Sequence, residues 1–103
     1  MGIMGMLADK DYREAVSLLA PLFDRMLTLT PDNPRALPAE ELAQTARAFC
    51  PDVTPCRNGD EAIRLAFDAV APDGAVVVCG SLYLAGELRP RLIKFVRGRQ
   101  KDQ

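Results

Sequence analysis

Two cationic side chains in this sequence stand where they could hold a small acidic molecule. Lys10 lies between two aspartates, and Arg35 ends the motif Asp32-Asn33-Pro34-Arg35. An arginine can bind a carboxylate through two parallel hydrogen bonds, and a lysine adds a second positive charge. Pro34 stiffens the backbone before Arg35, and Asp32 or Asn33 can form an Asx turn that orients it. The two motifs therefore predict an anion-binding site.

A third segment adds a carboxylate and a close approach of the backbone. Gly80 and Ser81 follow an apolar run, and Glu87 comes shortly afterwards. Gly80 allows the main chain to approach a ligand, Ser81 can cap the next helix, and Glu87 can receive an ammonium group. With Lys10 and Arg35, this carboxylate suits a zwitterionic, acidic amino acid.

Each of these motifs also has an ordinary structural interpretation. The residues around Lys10 can be a solvated helix cap, residues 32–35 can be a simple turn, and Gly80-Ser81 can be only a strand-to-helix joint. What favours a site is the expected presence of all three at one edge of the fold.

Alternating helices and strands are predicted to position these motifs. Apolar spacing predicts helices over residues 11–23, from Pro38 onward, after a cap at Asn58 or Asp60, and over residues 82–96. The second helix is predicted to bury one apolar stripe, formed by Leu42, Ala43, Ala46 and Phe49. Strands are predicted at residues 25–30, 53–56 and 75–79, and the last is continuously apolar, as expected for a strand covered on both faces.

This alternation predicts an α/β fold, a Rossmann-like three-layer αβα sandwich with a mostly parallel sheet. Ligands bind beyond the carboxyl ends of the strands in such sheets. Segments 5–11, 30–35 and 80–87 all fall at such positions. Only residues 1–4 remain for a strand before the first of them, so the sheet is expected to be thin, with earlier elements missing. Residues 1–96 are expected to form this partial domain and residues 97–103 a basic tail.

Composition excludes several functional classes. The 103 residues are 49% apolar and 26% charged, which is typical of a globular domain. A net charge of −1 gives no reason to expect nucleic acid or a membrane as partner, and no apolar run approaches the ~20 residues of a membrane span. Three cysteines without metal spacing and the absence of histidine argue against a disulfide framework or a zinc site and favour the cytoplasm.

Taken together, segments 5–11, 30–42 and 80–87 resemble bacterial folylpolyglutamate synthase/dihydrofolate synthase, a member of the Mur ligase superfamily. The resemblance runs from about Gly5 to Phe95, in the C-terminal domain of that family, and keeps the order and spacing of the motifs. It implies an enzyme that uses ATP and magnesium to phosphorylate a carboxylate of a pteroate or folate, after which L-glutamate attacks the acyl phosphate and forms an amide.

The resemblance also implies roles for individual residues. Lys10 matches a family position that helps to bind the incoming glutamate, and Arg35 matches the arginine of the Asp-Asn-Pro-Arg motif. Ser81 and Glu87 match loop positions near that site. Asp32 and Asn33 belong to the same motif as Arg35.

This chain departs from the family pattern in two places. It has no Gly-Lys pair, so the phosphate loop that ends in Gly-Lys-Ser/Thr is absent, and it has no histidine, so the Asp-Gly-Ala-His-Asn segment is absent too. Both contact the nucleotide in the family. ATP and magnesium are therefore expected in the full-length family and not on this chain alone, which is expected to lack an N-terminal ATPase domain and to be inactive by itself.

Two alternatives stay open. The chain can be a non-catalytic remnant that binds a partner or associates with itself through an exposed sheet edge. A receiver-like or nucleotide-binding domain is less favoured, because the sequence has neither a Gly-x-Gly-x-x-Gly loop nor an acidic cluster for magnesium.

Overall fold

A computed structural model describes residues 1–8, 11–70 and 74–101 of the chain. In these residues four strands alternate with four α-helices and one short 3₁₀ turn. The strands are β1 (Gly2–Gly5), β2 (Arg25–Thr28), β3 (Asp52–Pro55) and β4 (Val77–Gly80). The helices are α1 (Tyr12–Leu19), α2 (Ala39–Ala46), α3 (Gly59–Ala69) and α4 (Leu82–Lys101), and the 3₁₀ turn Ala20–Leu22 follows α1.

The strands form one parallel sheet in the order β3-β2-β1-β4. The short first strand therefore lies inside the sheet, with β2 on one side and β4 on the other. The chain moves outward from β1 to β3 and then returns to the far side of β1 for β4. The predicted α/β class and parallel sheet are confirmed.

Helices cover both faces of this sheet, which confirms the three layers. Met4 and Met26 pack against α1 and α2 on one face, whereas Ile3 and Leu27 pack against α3 and α4 on the other. Neighbouring residues of one strand point to opposite faces, so these adjacent pairs supply both cores. All four side chains are fully buried.

Local signals explain where two of the helices begin. The Asn58 side chain accepts a hydrogen bond from the backbone N–H of Glu61 at 2.8 Å, so Asn58 is the predicted cap of α3. Helix α2 starts immediately after Pro38 and carries Glu40 and Glu41 in its first turn, where carboxylates favour the positive end of the helix.

The prediction that the last strand is covered on both faces was wrong. β4 is an edge strand, and Val77 is 45% exposed. The reason is topological. Helix α1 connects β1 to β2 and α2 connects β2 to β3, so the layer formed by these two helices lies over β1, β2 and β3 and leaves β4, at the edge, less covered.

Two predicted helix boundaries also differ from the structure. Helix α2 ends at Ala46, so Phe49 falls outside its apolar stripe and is 40% exposed. Helix α4 continues through Pro90 and past Val96 to Lys101, so it includes much of the predicted basic tail.

Candidate functional site

The three predicted site segments meet at the carboxyl edge of the sheet. One follows β1, one follows β2 and one follows β4, and parallel strands end at the same edge. The helices after β1 and β4 lie on opposite faces of the sheet. In doubly wound folds the ligand crevice opens at this kind of switch point, here between β1 and β4.

Two glycines keep the main chains close at the switch point. Gly5 and Gly80 are partners in the β1–β4 ladder, and Gly80 has a φ of 102°. A side chain at Gly80 would collide with the carbonyl oxygen of Gly5, and one at Gly5 would come within 2.9 Å of Leu84 and 3.0 Å of Pro31. Neither position therefore has room for a side chain, and glycine lets the two strands end in close contact with their surroundings.

The loop after β2 is held at its base by two threonines. The Thr28 hydroxyl donates to the carbonyl of Ala39 at 2.8 Å, and the Ala39 N–H donates to the Thr30 hydroxyl at 2.9 Å. The two bonds thus tie the start of the loop to the first residue of α2. Neither hydroxyl was predicted to hold the loop, although two threonines at i and i+2 before a proline-rich loop were the available signal.

Within this loop the predicted Asx turn is present. The Asn33 side-chain oxygen accepts a hydrogen bond from the Arg35 N–H at 2.9 Å, and the Asn33 carbonyl accepts one from Ala36 at 3.0 Å. These bonds fix the backbone from which the exposed Arg35 side chain extends.

Hydrogen bonds join the three segments directly. The Ala8 N–H donates to the Arg35 carbonyl at 2.7 Å, which connects the segment after β1 to the loop after β2. The Asp32 N–H donates to the Glu87 carboxylate at 3.2 Å, which connects that loop to α4. The structure therefore brings Asp32, Arg35 and Glu87 to one site, and one Glu87 oxygen already holds the loop.

The remaining predicted site residues have different outcomes. Ser81 is partly buried directly before α4, and its carbonyl accepts the Ala85 N–H at 3.1 Å, so it lies at the same edge. Lys10 lies outside the described residues. That any of these residues contacts glutamate stays a prediction.

Two thiols of the chain are poor nucleophiles at neutral pH. Burial, together with the negative charge of Glu61, raises the pKa of Cys56 from 9.0 to about 11, and burial also raises the pKa of Cys79. Because the thiolate is the reactive form, neither residue suits covalent catalysis.

The described residues do not fit magnesium or the phosphates of ATP. No group of three or more Cys, Asp and Glu side chains that could hold a metal ion occurs in residues 1–8, 11–70 and 74–101. The full sequence also has no Gly-Lys pair. Over the same residues, no helix has the length and apolar character needed to cross a membrane.

Comparison with protein families gives one match over most of the chain. Residues 1–82 match the family described as Mur ligase, glutamate ligase domain. Among curated proteins, the folylpolyglutamate synthase of Lacticaseibacillus casei is 35% identical over 92 residues, which cover 88% of this chain and 20% of that protein. The dihydrofolate synthase/folylpolyglutamate synthase of Mycobacterium tuberculosis (strain ATCC 25618 / H37Rv) is 36% identical, over 86% of this chain and 21% of that protein.

A solved structure agrees with these relatives. The Mycobacterium tuberculosis folylpolyglutamate synthase complexed with ADP superposes with a TM-score of 0.76 at 30% identity, covering 88% of this chain and 23% of the other. The chain thus spans about a fifth of the length of the curated relatives it matches.

Proposed function

Because this chain belongs to the Mur ligase family through its glutamate ligase domain, we propose that it holds the incoming L-glutamate for a folate-directed amide ligase. The observation that carries this proposal is the hydrogen-bonded meeting of the three segments at the carboxyl edge of the sheet. It gathers a cation and a carboxylate on a backbone that hydrogen bonds within the chain hold in place. The relatives named for folylpolyglutamate synthesis supply the substrate class.

In this proposal Arg35, Lys10, Glu87 and Ser81 interact with different groups of the amino acid. Arg35 binds a carboxylate of the glutamate through two hydrogen bonds, and Lys10 provides the second cation. Glu87 places negative charge near the amino group, and Ser81 adds a polar contact beside it. Asp32 and Asn33 act through the loop, because they fix the direction in which Arg35 extends.

The chemistry of amide formation requires an activated acyl group as well as a positioned amine. ATP and magnesium supply that activation in the ligases this chain resembles, and the residues for it do not occur among those described here. The contribution of this chain is therefore to orient the nucleophile, which lowers the entropic part of the barrier. Its three cysteines are free, which suits the reducing cytoplasm.

Titration of the 103-residue chain with L-glutamate tests this proposal by calorimetry and by amide chemical shifts. We expect Arg35→Ala to weaken binding about tenfold or more, since a charge-assisted hydrogen bond contributes roughly 1.5–3 kcal/mol. Arg89→Ala is the matched control, because Arg89 is an exposed arginine of α4 that takes no part in the site. An unchanged affinity in Arg35→Ala, or no binding of L-glutamate at all, would refute the proposal.

A second candidate function, self-association, is favoured by the edge strand. In the part of the chain that the structure describes, β4 pairs only with β1, and Val77 is 45% exposed. An edge of this kind can pair with a second copy. Sedimentation velocity should then show a concentration-dependent dimer that Val77→Lys weakens, because a charged side chain protects a sheet edge. A monomer at every concentration contradicts this candidate.

A further inference from the structure

A groove of about 620 Å³ lies between α3 and α4, outside the candidate glutamate site. Its floor is formed by Ile63, which is 1% exposed, and by the half-buried ring of Phe95. The Phe95 ring packs on Phe67 with 5.3 Å between the ring centres, so the floor is fixed by contacts between the two helices. This volume is within the usual range for a ligand site.

The walls of this groove are mainly cationic. Arg64 comes from α3, and Arg91 and Lys94 come from α4, against the single carboxylate of Asp60. Arg91 is already paired with Asp60 at 3.0 Å. The lining therefore has a net charge of +2, in a chain whose net charge is −1. An acidic ligand with an aliphatic backbone matches both the walls and the floor.

Three residues of the groove share one face of α4 with Glu87 of the candidate glutamate site. Glu87, Arg91, Lys94 and Gly98 follow each other at intervals of four, three and four residues, so they lie on the same side of the helix. Glu87 contacts the Asp32 loop, and Arg91 lies one turn further. This face extends over about three turns, roughly 16 Å. It ends at Gly98, where an added side chain would meet nothing within 4 Å.

We propose that this groove binds the acidic tail of the folate substrate, a chain of γ-linked glutamates, and so keeps a lengthened substrate beside the site where the next glutamate is held. The proposal rests on the function proposed above. Each γ-linked unit carries one free carboxylate for Arg64 or Lys94, and its methylene groups can lie on Ile63 and Phe95. Mixed electrostatic and apolar contact of this kind favours a short acidic chain over a compact inorganic anion.

The test compares γ-linked tetraglutamate with L-glutamate in titrations of the full 103-residue chain. We expect tetraglutamate to bind about tenfold more tightly, and we expect this advantage to fall about threefold with Arg64→Gln or Lys94→Gln and to disappear in the double variant. The affinity for L-glutamate should not change in these variants. Arg89→Gln, which removes one charge from α4 outside the groove, should leave both affinities unchanged. Amide shifts caused by tetraglutamate should extend along α3 and α4.

The two proposals fail in different measurements. If Arg64→Gln and Lys94→Gln together leave tetraglutamate binding unchanged, the groove assignment is wrong, whatever Arg35→Ala does to L-glutamate binding. If tripolyphosphate or an oligoribonucleotide of equal charge binds as tightly as tetraglutamate, the groove is a general anion surface and the assignment is also overturned. If Arg35→Ala leaves L-glutamate binding unchanged while the groove variants lose tetraglutamate binding, the function proposed above fails. The groove then binds an acidic chain, but its role of holding substrate beside a glutamate site is overturned.

Discussion

The bond from the Asp32 N–H to the Glu87 carboxylate is the contact on which the candidate site depends most. It joins residues that are far apart in sequence, and it holds the Arg35 loop against α4 at 3.2 Å. The bond is charge-assisted but lies at the surface, so we expect it to contribute about 0.5–1.5 kcal/mol to the order of the loop. Glu87 is therefore expected to act as a positioning residue.

Glu87→Ala should free the loop without unfolding the chain. We expect the Asp32 amide to exchange with solvent about five to ten times faster and L-glutamate binding to weaken, because Arg35 is no longer aimed. Amide hydrogen exchange and titration measure the two effects. Glu87→Gln keeps an acceptor oxygen and should restore most of the protection, whereas the control Glu40→Ala should change neither. Unaltered exchange at Asp32 in Glu87→Ala would contradict this role.

The thiol of Cys56 should make stability depend on alkaline pH. Its pKa is about 11 in the folded chain, against an ordinary value of 9.0, chiefly because of burial. Below pH 9 the thiol is protonated in both states, and between pH 9 and 11 the unfolded chain loses the proton first. The free energy of unfolding should therefore fall by about 1–2 kcal/mol over this range.

Urea denaturation at several pH values measures this loss. Cys56→Ala should flatten the decline, and a smaller slope should remain because the pKa of Cys79 is raised in the same direction. The same slope in Cys56→Ala and in the parent chain would contradict the assignment to Cys56.

The conformation of single residues was predictable where hydrogen bonds to neighbours in sequence determine it. The Asx turn at Asn33 and the cap at Asn58 depend on neighbours within three residues, so spacing predicted each of them as one of two candidates, with Asp32 and Asp60 as the others. The bonds of Thr28 to Ala39 and of Asp32 to Glu87 join different elements, and no local pattern encodes them. The sequence therefore predicted that the segments carrying Asp32, Arg35 and Glu87 lie at this edge, but not the bonds that hold them together.

At the scale of elements, the junction of β4 and α4 depends on backbone space. Gly80 adopts a positive φ against the Gly5 carbonyl, whereas Gly86 in α4 has open space around it. A side chain is therefore excluded at Gly80 and can be accommodated at Gly86.

Alanine at these two positions should change stability in opposite directions. Gly80→Ala should lower the free energy of unfolding by about 2–3 kcal/mol, because of backbone strain and the clash with Gly5. Gly86→Ala should raise it by about 0.5–1 kcal/mol, because alanine favours the helix interior. Chemical denaturation measures both changes, and equal effects at the two positions would contradict this account.

The order and type of the elements were predictable, and several of their boundaries were not. Apolar patterns predicted the four helices and the last three strands, whereas β1 was expected only as what remained before the segment 5–11. The patterns could not show that β4 lies at an edge, because the same apolar run suits a covered strand. They also could not show that α4 would pass Pro90, since packing of the surrounding turns on α3 offsets the missing backbone bond. Tertiary contacts decided these cases.

At the scale of the whole molecule, two separate cores lie on the two faces of one sheet. One is shared by α1 and α2 and the other by α3 and α4, and β1 contributes to both through Met4 and Ile3. The class of fold was predictable because strands separated by helices pair in parallel. The strand order was not predictable. After β3 the chain returns to pair β4 with the free edge of β1, and the spacing of residues along the sequence does not reveal this return.

The interior place of β1 has a consequence for the order in which the chain assembles. Gly2 pairs with Met26 on one side and with Val77 on the other, so its first partner arrives early in the chain and its second only near the end. Closing the longer loop costs more entropy, and such distant pairings form slowly. Pulse-labelled amide exchange during refolding should therefore show protection in β2 and β3 before the β1–β4 ladder. The crevice between Gly5 and Gly80 would then be among the last features to form, and a chain still emerging from the ribosome would expose the open side of β1 until β4 is made.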